Sequence, residues 1–406
     1  MPNAAAPAYL GNDFTQASPA LRFGAYLRLW EADWSIAKSS KRPATADASE
    51  LRAHVDCLRA LAARQTALAA PLAAQDLLFA LDAQATAPFT TGLGNEHPLE
   101  NGFAFLNPYG LPYLPGSGVK GVLRQAAREL ESGEWGDAHG WTKDAITHLF
   151  GLESDDGEKE HQRGALMFWD VLPQLAGDSL QVDVMAPHQS HYYQQRGDAR
   201  SGDSLSPHDS GQPTPINFLT VPPGSRFTFH VQCKLPFLQR IAPALADGGR
   251  WQALVQAAIE HAFAWLGFGA KTAVGYGAMT EDLKVRQQRE AARAAARAQA
   301  AAVAEKTRLA SLAPEDRDWA EAQRVVDAFR AELAKAKAAG VYNPGGPFNQ
   351  ARQAFLKTAL GWNELRSRAA AGELLADSAT RAWGRPSNRD RWTELQAAIA
   401  QLKGGA

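Results

Sequence analysis

Hydrophobic and polar residues alternate with a period of two in several segments, which predicts β-strands. Residues 21–30 place Leu, Phe and Ala on one side and Arg, Tyr and Trp on the other, and residues 225–232 alternate in the same way. Residues 164–172 form a mostly apolar run, typical of a buried strand, and residues 180–185 alternate again. The second face of the first strand has a composition that suits stacking on RNA bases, although a strand packed beneath a helix gives the same pattern.

A period near 3.6 predicts helices elsewhere in the chain. Residues 47–84 are alanine-rich with helical spacing, which is interrupted at Pro71. Residues 119–130, 144–150 and 251–266 also repeat apolar positions at helical intervals. This part of the chain contains both strands and helices, and the fold class that we predict for it is α+β.

The composition changes abruptly near residue 280. Residues 281–310 are rich in Ala, Arg and Gln with few large apolar side chains, which predicts a long solvated helix. Further amphipathic helices are predicted at residues 320–339, 348–360 and 391–402. We therefore predict two domains, residues 1–280 and an α-helical C-terminal extension at residues 281–406.

The two predicted domains differ in charge, although the whole chain has a net charge of −1. Residues 281–406 hold 21 Lys and Arg against 15 Asp and Glu, net +6, and residues 1–280 hold 21 against 28, net −7. A protein that coats nucleic acid unaided is usually basic throughout. Contacts with nucleic acid are therefore expected to use local patches.

A Pro/Gly loop runs directly into a basic helix at residues 110–128, GLPYLPGSGVKGVLRQAAR. Ser117 is the predicted N-cap, and Lys120 and Arg124 stand one turn apart on what we expect to be exposed first turns. An anion there would meet free N–H groups, the positive end of the helix dipole and two cations. A nucleotide-triphosphate loop is excluded, because no Ser or Thr follows the lysine. Unless the stretch is only a tight turn before a solvated helix, the candidate phosphate-binding residues are Gly116, Ser117, Gly118, Lys120 and Arg124.

A second glycine-rich stretch, GFGAKTAVGYGAM, occupies residues 267–279. A lysine and a tyrosine among four glycines suit a loop that cradles RNA phosphates and leads into a last strand containing the GYG. Glycines that let a backbone pass through a crowded core give the same composition. The candidate RNA-binding residues here are Gly267, Gly269, Lys271, Gly275, Tyr276 and Gly277.

Residues 186–215 form a long polar stretch without helix or strand periodicity, which we name the insert. Its histidines and aspartates invite a metal-hydrolase interpretation, but the insert has neither the helix nor the intervening Glu of an H-E-x-x-H site. Tyr, Arg and His side chains also stack on bases and bond to phosphates. We predict RNA contacts for His188, His191, Tyr192, Tyr193 and Arg196.

Other features of the sequence exclude several classes of protein. The two cysteines, Cys57 and Cys233, match neither a zinc site nor a disulfide framework. No run approaches the ~20 apolar residues that span a bilayer, and the N-terminus lacks the basic and apolar regions of a signal peptide. We expect a cytoplasmic protein that uses no metal or cofactor.

Several motifs, taken in order, resemble the RAMP superfamily of CRISPR proteins, in particular the sixth RAMP subunit of type III-B (Cmr) effector complexes. The resemblance covers about residues 20–280 and leaves the extension outside it. It implies a ferredoxin-like, RRM-like RNA-binding domain with insertions. The motifs are PYLPGSGVKGVLR at 112–124, Phe-Gly at 150–151, APHQSHYY at 186–193, PINFLTVPPGSRFTF at 215–229 and GFGAKTAVGYGAM at 267–279.

The resemblance implies a non-catalytic subunit near the 3′ end of the guide RNA (crRNA) that caps a filament of related backbone subunits. Its implied partners are guide RNA, complementary target RNA, other RAMP subunits and the small helical subunit of the complex. The RNA-facing elements carried over are the loop and helix at 116–124, the loop at 267–277 and the insert.

Two other functions stay open at this point. One is a metal-independent endoribonuclease that processes guide RNA, with His188, His191 or His208 as the proton carrier. The other is a structural cap that makes only protein contacts.

Overall fold

In the residues that the structure describes, the first part of the chain interleaves ten short strands with helices, as the α+β prediction requires. The computed structural model describes residues 3–152, 162–186, 215–340, 347–379 and 389–404. The strands are β1 (Asn3–Ala4), β2 (Arg28–Trp30), β3 (Leu78–Ala85), β4 (Phe105–Leu106), β5 (Leu111–Pro112), β6 (Leu166–Phe168), β7 (Gln181–Met185), β8 (Ile216–Thr220), β9 (Arg226–Cys233) and β10 (Met279–Glu281). The α-helices between them are α1 (Pro19–Phe23), α2 (Lys41–Ser49), α3 (Val55–Ala74), α4 (Gly116–Ser132), α5 (Lys143–Phe150), α6 (Leu235–Ile241), α7 (Pro243–Ala246) and α8 (Arg250–His261).

A four-stranded antiparallel sheet, in the order β10-β3-β9-β6, organises this part of the chain. Strands β3 and β9 pair over seven residues at its centre. Helix α4 lies between β3 and β6 in the sequence, and α8 lies between β9 and β10. Numbered along the chain as 1 to 4, the four strands therefore form a βαββαβ unit with the spatial order 4-1-3-2.

Strand β9 shows how the period-2 pattern produces the core. Phe227, Phe229 and Val231 are fully buried and belong to the same hydrophobic cluster as Leu123 of α4 and Leu254 of α8. Burying each such side chain stabilises the fold by about 1.5–3 kcal/mol. The strand predicted at residues 225–232 is confirmed, as is that at 180–185, where β7 pairs with β8.

The strand predicted at residues 21–30 is wrong in its first half. Helix α1 occupies Pro19–Phe23, because Ser18 accepts the N–H of Leu21 as an N-cap. Arg22 is buried and donates to the carbonyl oxygens of Asp47 and Glu50, and Tyr26 stacks on Phe14. These side chains hold the local structure together, so the alternating strand face expected in this half of the segment is not formed.

The helical prediction for residues 47–84 missed β3, one of the two central strands of the sheet. Helix α3 continues through Pro71 to Ala74, and the following residues form β3, which pairs with β9 on one side and β10 on the other. The alanines of β3 favour a helix locally, but pairing on both edges outweighs that propensity. The strand predicted at 164–172 is shorter, with β6 covering only Leu166–Phe168, and β10 begins after the GYG.

The C-terminal part of the chain is helical. Its helices are α9 (Leu283–Ala310), α10 (Pro314–Ala339), α11 (Pro347–Leu360), α12 (Leu365–Ser378) and α13 (Arg389–Leu402). The four predicted helices are confirmed, and α12 was missed. By its contacts the chain divides into two units, Met1–Glu290 and Ala291–Ala406, and the second unit has its own core, in which Phe329 stacks on Phe355 at 4.2 Å between ring centroids.

Candidate RNA interface

The sheet register places the connections that carry the three predicted RNA-facing segments at one end of the sheet. Ala85, the last residue of β3, pairs with Met279 at the start of β10, and Gln84 pairs with Arg226 at the start of β9. The connections from β3 to α4, from β6 to β9 and from α8 to β10 therefore meet at this end. They carry the start of α4, the insert and the second glycine-rich stretch, in that order.

The start of α4 differs from the predicted cap. The helix begins at Gly116 after Pro115, so Ser117 lies inside it and the N-cap assignment is wrong. Asp170, from the segment after β6, takes the capping role, because its Oδ1 accepts the N–H of Gly116 at 2.7 Å. The structure gives the N–H groups of Ser117 and Gly118 no acceptor among the residues it describes. An anion could therefore accept hydrogen bonds from the N–H groups of Ser117 and Gly118, whereas that of Gly116 already has an acceptor.

Gly116 has a packing reason to be glycine. A Cβ at this position would lie 2.2 Å from the carbonyl oxygen of Phe168. At Gly118 a Cβ would make only an ordinary contact, 3.5 Å from Leu114. The first glycine therefore lets α4 start against β6, and nothing in its surroundings requires a ligand.

Lys120 and Arg124 are both half-buried, which corrects the expectation of exposed first turns. Arg124 Nη2 donates to the carbonyl oxygen of Gly151 at 2.5 Å, so this guanidinium links α4 to the end of α5. Burial lowers the pKa of Lys120, and the positive charges of Arg124 and Arg163 lower it further. Arg163 is exposed and was not among the residues predicted from the sequence. We name Lys120, Arg124 and Arg163 the basic cluster.

Three glycines of the second stretch are explained by conformation and packing. Gly269 and Gly277 have φ of +91° and +69°, and a Cβ on them would lie 2.3 Å from the carbonyl oxygen of Thr90 and 1.8 Å from that of Phe268. Gly267 has φ of +70°, and a Cβ on it would lie 3.2 Å from Thr272 Cγ2, the nearest atom. Gly275 differs, because it is exposed, has φ +94° and would place its Cβ in open space. The interpretation of a backbone passing through a crowded core thus accounts for Gly269 and Gly277.

Lys271 and Tyr276 contact the β7–β8 hairpin. Lys271 Nζ lies 3.1 Å from Met185 Sδ and 5.4 Å from the centroid of the Phe218 ring. Tyr276 donates its hydroxyl proton to Asp183 Oδ2 at 2.5 Å, and burial together with this carboxylate raises the pKa of Tyr276 to about 12. The insert joins β7 to β8, so these two side chains fix the base from which it starts.

A cleft of 540 Å³ lies beside the same hairpin. Its cationic residues are Lys41, which pairs with Glu100, and Arg42, which is exposed. Val182, Val184 and Asn217 line the hairpin side. This cleft was not predicted from the sequence, because α2 and the hairpin are distant in sequence and neither carries a motif.

The insert residues His188, His191, Tyr192, Tyr193 and Arg196 lie outside the described residues, as does His208. Within the described part of the chain, no group of three or more His, Cys, Asp or Glu side chains is arranged to hold a metal ion. In the same part, none of the helices is long and apolar enough to cross a membrane.

The sequence of residues 82–280 matches the RAMP superfamily. This part of the chain is a RAMP domain. It contains strands β6 and β9 of the sheet, the last four residues of β3 and the first two of β10, together with the start of α4, the insert and the second glycine-rich stretch. The chain is also homologous to the CRISPR system Cmr subunit Cmr6 of Pyrococcus furiosus, with 29% identity over 239 residues. That alignment covers 47% of this chain and 64% of the relative, just under two thirds of its length.

Solved structures with similarity to the chain include a CRISPR complex and a Cmr6 crystal structure. The type III-B Cmr-beta complex bound to cognate target RNA contains a chain with 19% identity and a TM-score of 0.40, covering 59% of this chain and 70% of that one. The crystal structure of Cmr6 from Pyrococcus furiosus has 23% identity and a TM-score of 0.27, covering 50% of this chain and 97% of that one.

Proposed function

We propose that this chain is the Cmr6-type subunit of a type III-B CRISPR effector ribonucleoprotein and that it binds RNA without catalysing a reaction. The observation that carries the proposal is the homology to Cmr6, and the match of residues 82–280 to the RAMP superfamily agrees with it. The proposed partners are guide RNA, target RNA, other RAMP subunits and the small helical subunit. Within the complex, we place the chain at the 3′ part of the guide RNA, as a cap on the backbone filament.

The topology of the sheet supports a ferredoxin-like assignment of the RAMP domain. A βαββαβ unit with the strand order 4-1-3-2 is the connectivity of ferredoxin-like folds. RNA-recognition domains use the same arrangement of helices against an antiparallel sheet. In this chain the helices cover the face that carries Phe227 and Phe229, so we propose that RNA is bound at the end of the sheet from which the insert starts.

The basic cluster and the first amides of α4 form the proposed phosphate contact. Lys120 is half-buried and has two positive neighbours, Arg124 and Arg163. A bound phosphate would offset the repulsion among these three positive charges and would accept charge-assisted hydrogen bonds from them. Lys271 and Tyr276 hold the hairpin instead, and we propose that they act by positioning the insert. Phosphate contacts of this kind fix the register of RNA without reading its sequence.

The experiment compares Lys120→Glu/Arg163→Glu with wild type for binding of a labelled guide-length RNA at several salt concentrations. Arg124 is left intact, because its bond to Gly151 is structural. We expect at least tenfold weaker binding at physiological salt and a shallower dependence on salt, since fewer counterions are released. Arg64→Glu, an exposed charge reversal on α3, is the matched control. Equal RNA affinity of the double variant and the control would contradict the proposed site.

The endoribonuclease alternative has a separate readout. We expect the chain to leave the RNA intact in the presence of EDTA. Cleavage that persists in EDTA and disappears on substitution of one insert histidine would replace the proposed function with a metal-independent nuclease.

A further inference from the structure

Two exposed tryptophans contact each other on the surface of the first unit, away from the start of α4. Trp135 is 47% exposed and Trp265 is 65% exposed, and their ring centroids are 5.0 Å apart at an interplanar angle of 58°. Large aromatic side chains left in contact with each other and with solvent are typical of a surface that a partner covers.

The local backbone holds both rings in place. Trp135 follows the C-terminus of α4, where Gly133 in the left-handed conformation caps the helix through the carbonyl oxygen of Leu130. Trp265 lies in the π-helical turn Ala262–Leu266 that extends α8. Such turns insert one extra residue and are frequent at functional sites.

A hydrogen bond between a buried histidine and a glutamate lies beneath the pair. His261 is 7% exposed, packs edge-on against Trp135 at 5.4 Å between ring centroids, and donates from Nε2 to Glu129 Oε2 at 2.7 Å. The rings are therefore mounted on fixed side chains, so little conformational entropy would be lost when a partner binds.

The residues next to both rings in the sequence are acidic. Residues 129–137, ELESGEWGD, carry Glu129, Glu131, Glu134 and Asp137 and no Lys or Arg. Residues 260–266 add Glu260 and, again, no Lys or Arg. Carboxylates repel RNA phosphates, so this surface does not suit the ligand proposed for the other end of α4.

A cation over an indole ring is attracted by the negative face of the ring, and nearby carboxylates strengthen that attraction. Arginine can make both interactions, because its flat guanidinium stacks on the tryptophan ring and its edge donates hydrogen bonds to carboxylates. We propose that Trp135 and Trp265, with the surrounding carboxylates, form a docking site for a protein partner that presents an arginine side chain. This site is separate from the RNA interface and does not depend on the proposed function.

The probe is a fluorescein-labelled peptide of 13 residues with arginine at every third position and alanine or glutamine elsewhere. Its control is the same peptide with citrulline in place of arginine, which keeps the shape of the side chain and removes the charge. Fluorescence anisotropy with the full chain should give saturable binding of the arginine peptide and at least tenfold weaker binding of the citrulline peptide. Equal affinity for the two peptides would overturn the proposal.

The matched variants are Trp135→Ala/Trp265→Ala and, as control, Trp34→Ala, because Trp34 is 64% exposed elsewhere on the chain. We expect the double variant to bind the arginine peptide at least fivefold more weakly and the control to bind as wild type does. Should the double variant unfold, Glu134→Gln/Asp137→Asn tests the same site through its charge and should weaken binding severalfold. Unchanged affinity in a folded double variant, or in the charge variant, contradicts the site.

Two further measurements distinguish other occupants. Labelled RNA is titrated against the folded double variant, and its affinity should equal that of wild type. Sedimentation of wild type and variant over a range of concentrations should give the same mass. A loss of RNA affinity, or a loss of self-association on removing the two tryptophans, would assign the surface to RNA or to a second copy and overturn the proposal.

Discussion

At single positions, the glycines of residues 267–277 separate into those fixed by packing and one that is open. Gly277 would place a Cβ 1.8 Å from the carbonyl oxygen of Phe268, whose own N–H donates to the carbonyl oxygen of Gly277 at 3.0 Å. Gly275 has no atom within 4 Å of the same position. A glycine in a suspected ligand-binding loop therefore carries functional meaning only after its steric surroundings are known.

We expect Gly277→Ala to lower the free energy of unfolding by about 2–4 kcal/mol, because it adds a backbone clash to a strained φ. Gly275→Ala should cost only about 1 kcal/mol, since it strains φ in open space. Denaturant unfolding of both variants measures the difference. Equal losses would show that the loop can shift and that its glycines are not fixed by packing.

His230 gives the chain a predicted dependence on pH. It is 5% exposed on β9, and burial, with the positive charge of Arg289, lowers its pKa to about 4, although Asp82 opposes the shift. Between about pH 6.5 and pH 4, the unfolded chain binds a proton at this imidazole and the folded chain does not. Stability contributed by the neutral imidazole is thus complete above pH 6.5 and is lost as the pH falls towards 4.

The loss should reach up to about 3 kcal/mol at pH 4, from a pKa difference of about 2.5. Denaturant unfolding between pH 4 and 8 measures it, and His230→Gln should remove this part of the slope while the carboxylates keep theirs. A variant whose slope matches wild type would mean that the imidazole is protonated inside the folded protein.

At the scale of elements, the sequence predicted those segments whose local pattern agrees with their tertiary setting. Strand β9 and helices α5 and α8 were predicted because the spacing of their own apolar residues matches the side of each element that is buried. Strand β3 was missed because its alanines favour a helix and only its two neighbours make it a strand. The same limit applies to the candidate site, since Arg163, Arg42 and the capping Asp170 come from segments distant in sequence.

Asp170 connects the segment after β6 to the start of α4. Replacing it with Ala removes the acceptor for the Gly116 N–H, and we expect the free energy of unfolding to fall by about 1 kcal/mol, as for loss of an N-cap. Asp170→Asn keeps an oxygen acceptor without the charge and should recover most of that loss. A thermal melt of the two variants tests the cap. If Asp170→Ala melts like wild type, another group must replace the carboxylate at the helix start.

At the scale of the whole molecule, the helix α9 begins in the first unit and continues into the second. The predicted boundary at residue 280 lies ten residues before the division by contacts after Glu290. Those ten residues include Glu281, which pairs with Ala83 in the sheet, Asp282, whose N–H donates to the carbonyl oxygen of Asp82 at 2.9 Å, and Arg289, which pairs with the Asp82 carboxylate. These three contacts join residues 281–290 to strand β3 of the sheet.

We therefore expect a fragment of residues 1–290 to be soluble and to unfold cooperatively, since it retains the hydrophobic cluster around β9 and the whole of β10. A fragment of residues 1–280 should be less stable by about 1–3 kcal/mol, because it leaves the half-buried Asp82 carboxylate without Arg289 and shortens β10. Arg289→Gln in the longer fragment isolates the ion pair and should account for part of that difference. Both fragments lose the excess positive charge of residues 291–406, so each should bind RNA more weakly than the full chain. Gel filtration and denaturant unfolding decide the outcome. An aggregated 1–290 fragment would mean that the helical extension forms part of the first core, and equal stability of the two fragments would place the boundary back at residue 280.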